Sequence, residues 1–216
     1  MISFLDLIFP KTCYSCHRTG QYFCSKCINN LNTNHIRINY CHPFNASLSL
    51  FPYNSAIKDA IHDLKYNFVT DIVGEISEIM LSNLNSSFPN LLHYWQKENF
   101  VLVPISLSDF RNNWRGFNQS TLICQAFSQL SGLKFESDLL IRNRNNPPQV
   151  SMSKKIDRLT NSIDLFKISQ DTIIPQNIII FDDVCTTMST LKSAARPIVD
   201  SGKISEIWAL SLAGYF

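Results

Sequence analysis

Ile178-Ile179-Ile180-Phe181-Asp182-Asp183-Val184-Cys185-Thr186-Thr187-Met188-Ser189-Thr190 is the stretch on which the fold turns. Four apolar residues run into two adjacent carboxylates and then into a hydroxyl-rich turn. A short continuous apolar run with polar borders predicts a strand buried on both faces, as in a parallel sheet. Leu191 to Val199 reads as a helix, with Pro197 expected to bend or end it. The turn between them then lies at the carboxyl end of a strand, where open α/β sheets take ligands. The hydroxyls of Thr186, Thr187, Ser189 and Thr190, with the N–H groups of the turn, suit a phosphate at a helix N-terminus. Asp182 and Asp183 suit the two vicinal hydroxyls of a ribose and a Mg2+ ion. A plain buried strand followed by an N-capped helix accounts for the same residues without a ligand.

The rest of the chain agrees with an α/β class. Leu48 to Tyr53, Phe100 to Pro104 and Glu206 to Leu212 read as further strands. Apolar residues at helical spacing predict helices over Ala56–Leu64, ending at Leu64-Lys65-Tyr66, and over Asp71–Leu84 and Leu122–Leu130; Asn85 to Asn90 reads as a polar loop. Strands alternating with helices predict a mainly parallel sheet flanked by helices.

Two C-x-x-C pairs, Cys13/Cys16 and Cys24/Cys27, stand near the N-terminus. Each pair presents two thiolates to one ion, which predicts a tetrahedral, structural Zn2+ site with no open position. Cys41-His42 reads as a spare ligand pair or the remnant of a second knuckle, and His17 and His35 as solvated loop residues. The expected organisation is a zinc-ribbon-like segment over 1–45 and an α/β domain over 46–216. Paired cysteines without an export signal point to a reducing cytoplasm. No apolar run approaches the length of a membrane span, and the apolar opening segment, residues 1–10, reads as a short docking helix.

Formal charge is only +2, too little to argue for nucleic acid alone. Between Ser106 and Lys167, however, nine basic residues face five acidic ones, a net +4 against −2 for the remainder. Within that segment Arg111 and Arg115 stand four apart, on one face of a helical turn. Phe110, Trp114 and Phe117 are interleaved with them, a pattern that suits stacking on single strands or plain core packing; core is the expected place of Phe117. Arg142 to Arg158 reads as a flap over a site or as a solvated loop.

The strand, paired acids and Thr-rich turn resemble the 5-phosphoribosyl-1-pyrophosphate (PRPP) loop of type I phosphoribosyltransferases. The match narrows at Val103-Pro104, Arg111 and Arg115-Gly116-Phe117-Asn118-Gln119. With the cysteine pairs, Leu64-Lys65-Tyr66, Pro147-Pro148-Gln149 and Arg158-Leu159-Thr160-Asn161, these residues resemble the ComF/GntX branch of that fold. The resemblance implies a type I phosphoribosyltransferase fold in which Asp182 and Asp183 grip the ribose and Thr186 to Thr190, Met188 included, hold the 5′-phosphate. It implies that Arg115 joins the acids in catalysis and that Lys65, Arg111, Asn118 and Gln119 contact substrate, with Mg2+ accompanying PRPP. Met188 departs from the small residue usual there, Ser106 from a second proline, Val150-Ser151-Met152 from the usual Leu-Ser surroundings, and Phe44 from a second-knuckle cysteine. Two readings stay open. One is a ComF-like protein binding PRPP or a related ribose phosphate, a phosphoribosyltransferase if it is an enzyme, serving DNA uptake with competence proteins. The other is a non-catalytic single-stranded-DNA-binding or adaptor protein with a degenerate pocket.

Overall fold

The computed structural model describes residues 10–31, 37–143 and 165–215. In chain order the elements are α1 (Ser25–Leu31), β1 (Arg37–Asn39), β2 (Ala46–Pro52), α2 (Ser55–Tyr66), α3 (Ile72–Ser87), α4 (Leu91–Lys97) and β3 (Val101–Pro104). They continue through α5 (Asp109–Arg115), α6 (Gln119–Ser131), β4 (Lys134–Phe135), β5 (Leu140–Arg142), β6 (Phe166–Ile168), β7 (Asn177–Cys185), α7 (Ser189–Asp200) and β8 (Glu206–Gly214).

Six strands form one sheet in the order β1-β2-β8-β7-β3-β4. Every pairing in it is parallel except β1 with β2. The decisive stretch lies at its centre. Ile178, Ile179, Ile180 and Phe181 are all buried, as a strand covered on both faces requires. Alternation sends Ile179 and Phe181 into one core, with residues of α2, α3, α4 and α6. It sends Ile178 and Ile180 into the other, beneath Leu191, Ala194, Ala195 and Ile198 of α7. The antiparallel β5–β6 ribbon covers this second face through Leu140 and Phe166.

This layering creates the crevice. After β3 the chain leaves toward β4 by way of α6 on one face; after β7 it leaves toward β8 by way of α7 on the other. Neighbouring strands whose connections part in opposite directions open a gap at their carboxyl ends. Both sequence segments that carry the expected ligand residues emerge there.

Three local readings differ from the structure. The helix expected to bend or end at Pro197 runs on to Asp200, because Leu191, Ala194, Ala195 and Ile198 anchor its buried face and the proline stands in its closing turns. The loop expected over Asn85–Asn90 is helical as far as Ser87. A further short helix, α4, follows it, pinned by fully buried Trp95. The opening segment up to residue 9, His35 and the motifs within 144–164, including most of the expected flap, lie outside the described residues.

The cysteine-bearing segment docks on α2 and α3. Phe23 is buried in the main core, and its N–H donates to Glu75 Oε2 at 2.9 Å. The Tyr14 hydroxyl donates to Asp63 Oδ2 at 2.8 Å, and that of Tyr22 to Asp71 Oδ1 at 2.9 Å. The two tyrosine rings stack with centroids 5.9 Å apart.

Candidate functional site

The crevice is a cleft of about 600 Å3, within the usual range for a small-molecule site. One wall carries the acids. Asp183 is buried, ion-paired through Oδ2 with Lys65 Nζ, and accepts at Oδ1 from Gln119 Nε2 at 3.4 Å. Gln119 in turn accepts from Arg115 Nη1. Lys65, Asp183, Gln119 and Arg115 thus form one chain of contacts across the floor. Asp182 points to the opposite face of the strand, stays partly open, and accepts from the Asp183 N–H at 2.9 Å.

Local sequence explains why these side chains arrive. Ser108 caps α5, a two-turn helix that brings Arg111, Trp114 and Arg115 to the cleft. Gly116 ends that helix at φ 76, a left-handed geometry that costs glycine nothing. Asn118 then caps α6, accepting from the Ser120 N–H at 3.0 Å while its own amide donates to Ile105 O at 2.9 Å. The Asn118 side chain therefore ties α6 to the exit of β3, and Gln119, the first residue of α6, faces the cleft.

Cations line the cleft as well. Arg111, Arg115 and Arg142 all line the cleft. Arg142 arrives on the β5–β6 ribbon with its guanidinium 5.4 Å from the Phe166 ring centre. Burial lowers its pKa, and the neighbouring charge of Arg111 lowers it further. Arg115 is buried, and its Nε has no hydrogen-bond partner among the described residues. Like charges held together at a cleft wall with a spare donor favour an anionic ligand.

Beside the cleft, residues 185–191 enclose a recess of about 20 Å3 that Asp182 and Val184 complete. That is room for about one water, so a phosphate ester seats there only if the loop widens. Met188 takes φ 61, the left-handed geometry that favours glycine. Its side chain turns back to the second core, where Sδ accepts from Cys185 Sγ at 3.1 Å. Met188, Thr186, Thr187 and Ser189 all border the recess, and Thr190 borders both recess and cleft.

The structure therefore gathers Lys65, Arg111, Arg115, Gln119, Asp182, Asp183 and Thr190 around one cleft, and gives Asn118 a capping place outside its lining. Lys65 stands beside the acids, ion-paired with Asp183. Sequence reasoning passed over Arg142 as a site residue, because a short ribbon strand carries no local signal of where it packs. Tyr66 and Ser106 also line the cleft.

Burial, followed by the charge of Asp183, raises the Asp182 pKa well above the ordinary carboxylate range. Over the interval between the ordinary and the raised value, the folded protein binds a proton that the unfolded chain has released. Stability drawn from this group is therefore present at low pH and declines as pH rises through the raised value. Urea unfolding from mildly acidic to neutral pH is expected to show that decline, reduced in Asp182→Asn. Parallel curves for the two proteins would refute the assignment.

The four cysteine sulfurs, Cys13, Cys16, Cys24 and Cys27, all lie within 4.8 Å of one another. Zinc–thiolate bonds of about 2.3 Å in a tetrahedron place sulfurs a little under ~4 Å apart, and Cys16 and Cys24 already stand 3.6 Å apart. The set fits one Zn2+ ion. Burial works to raise the Cys13 pKa, but the N–H groups of Cys24, Cys16 and Ser15 outweigh it and hold the thiol at about 6. Cys41 packs instead against the second core.

Comparison with known proteins adds an independent line. No family model matches the chain. Competence protein ComFC of Bacillus subtilis (strain 168) is 31% identical over 164 residues, 76% of this chain and 62% of that protein. Its namesake in Streptococcus pneumoniae (strain ATCC BAA-255 / R6) is 27% identical over 154 residues, 71% of this chain and 62% of that protein. DNA utilization protein YhgH of Escherichia coli (strain K12) is 25% identical over 209 residues, 93% of this chain and 88% of that protein. Over most of its length the chain is thus similar to proteins of the ComF family. It spans less than two thirds of the length of the ComFC relatives. No described helix is long and apolar enough to cross a membrane.

Proposed function

We propose that the cleft binds PRPP or a related ribose phosphate together with Mg2+, in a protein serving DNA uptake or utilisation. One observation carries the reading. Paired carboxylates and three arginines line one cleft at the sheet's switch point, beside a hydroxyl-rich helix entry. Acids suit ribose hydroxyls, arginines suit a pyrophosphate, and the loop's hydroxyls and N–H groups suit a 5′-phosphate once the recess widens. Asp182, partly open to the cleft, with the oxygens of a bound pyrophosphate makes an oxygen donor set that fits Mg2+. In a transferase, that ion and the arginines would offset charge on the departing pyrophosphate. The names of the relatives, competence protein and DNA utilization protein, support the wider role.

A second reading has its own support. Tyr66, Phe68, Phe110 and Trp114 are large, exposed aromatics. Trp114 lies 6.0 Å from Tyr66 and 5.9 Å from Phe68 between ring centres. A run of exposed rings beside arginines suits single-stranded DNA, with bases stacking and phosphates attracted. Phe117, packed against the main core, meets the edge of this run, its ring centre 6.2 Å from that of Phe68.

Calorimetric titration with PRPP and Mg2+ tests the first reading. Binding is expected in the natural protein, lost in Asp182→Asn/Asp183→Asn, and tighter in Met188→Gly, which holds the left-handed turn without strain. Salt-sensitive binding of single strands, weakened by Trp114→Ala, with no PRPP binding in either natural or Met188→Gly protein, would favour the second.

A further inference from the structure

We propose that the four-cysteine module is a positioning element for the cleft, acting on Lys65 through Tyr14 and Asp63. The inference rests on the reading of the cleft as a ribose-phosphate site. Tyr14 lies inside the first knuckle, between Cys13 and Cys16, and is braced by Tyr22 and Phe23 at ring distances of 5.9 and 5.8 Å. Its hydroxyl reaches out of the module to Asp63 Oδ2.

Asp63 is the fastening point of the last turn of α2. Its other carboxylate oxygen accepts from Asn67 Nδ2 at 2.8 Å. Its carbonyl accepts from the N–H of Asn67 at 3.0 Å and of Val69 at 3.3 Å. His62 Nδ1 stands 3.6 Å from Oδ1 on the solvent side. Two residues on, Lys65 leaves the opposite side of the helix, because ~200° of rotation separates the two positions. There it meets Asp183, and Tyr66 sets its ring 5.6 Å from the Arg115 guanidinium. The module thus grips one side of a helical turn whose other side supplies the cleft.

The second tyrosine is an internal comparison. Tyr22 makes an equivalent bond, but to Asp71 at the start of α3, which sends no residue into the cleft. Loss of either hydroxyl weakens docking. Only loss of the Tyr14 hydroxyl frees the turn that carries Lys65.

The test compares Tyr14→Phe with Tyr22→Phe in the full chain, each shown to retain its metal. Tyr14→Phe keeps the ring and its packing. It is expected to speed amide exchange over residues 64–69 and to weaken PRPP–Mg2+ binding about 3- to 10-fold, as for one lost hydrogen bond. Tyr22→Phe is expected to leave both near wild type. Wild-type exchange over 64–69 in Tyr14→Phe, or equal changes in the two variants, would overturn the proposal. If the natural protein binds no PRPP, the reading of the cleft has failed, and the exchange comparison still decides whether the module holds the turn.

Discussion

Lys65→Met is expected to destabilise the protein by about 3 kcal/mol, the low end of the range for breaking a buried pair from one side. Asp183 is buried, and without the ammonium its charge keeps, as a hydrogen bond among the described residues, the long contact from Gln119 Nε2 at 3.4 Å. Methionine replaces the aliphatic stem, so the loss reports the charge and not the packing. For a chain of this length the midpoint of thermal unfolding should fall by roughly 6–12 °C. The companion variant Lys65→Met/Asp183→Asn removes both charges and should recover most of the loss. Scanning calorimetry of the three proteins checks both expectations. A Lys65→Met protein as stable as wild type would mean that the pair is open to water and does not neutralise the floor of the cleft.

This pair also shows where the sequence stops being readable. The central strand was legible because four apolar residues, two acids and a hydroxyl-rich turn are a local pattern, and nothing distant is needed to interpret it. The four cysteines were legible for the same reason, since two residues between thiols fix their geometry. Lys65 is different. At a helix end it reads as a solvated charge favouring the helix dipole, and only the packing of α2 against the sheet brings it to Asp183. Arg142 likewise reaches the cleft only because β5 pairs with β6. Local rules also yield to burial: Pro197 signals a bend or an end, yet the buried face of α7 carries the helix past it to Asp200. Met188 marks the converse case. Its departure from a small residue was plain, but the turn of its side chain toward Cys185 depended on the second core.

Removing metal from the cysteine module is expected to unfold it while leaving the six-stranded sheet in place. Four thiols lie within 4.8 Å of one another, a spacing that one tetrahedral ion would hold. The knuckles themselves keep only a few backbone bonds, among them His17 N–H to Cys13 O at 2.8 Å and Cys27 N–H to Cys24 O at 2.9 Å. Structural zinc contributes on the order of 10 kcal/mol to small modules of this kind, far more than such bonds supply. Collapse of the module strips Phe23 from the main core and opens α2 and α3 where Asp63, Asp71 and Glu75 now hold it. The sheet keeps its own two cores, so the loss should be local first. Metal analysis should find about one Zn2+ per chain, and Cys27→Ser should reduce it sharply. Chelation should speed exchange across residues 10–31 and weaken the near-ultraviolet signal of Tyr14 and Tyr22, while far-ultraviolet ellipticity changes little. Protein purified without metal, and indifferent to chelator, would show that the four thiols are held by packing alone.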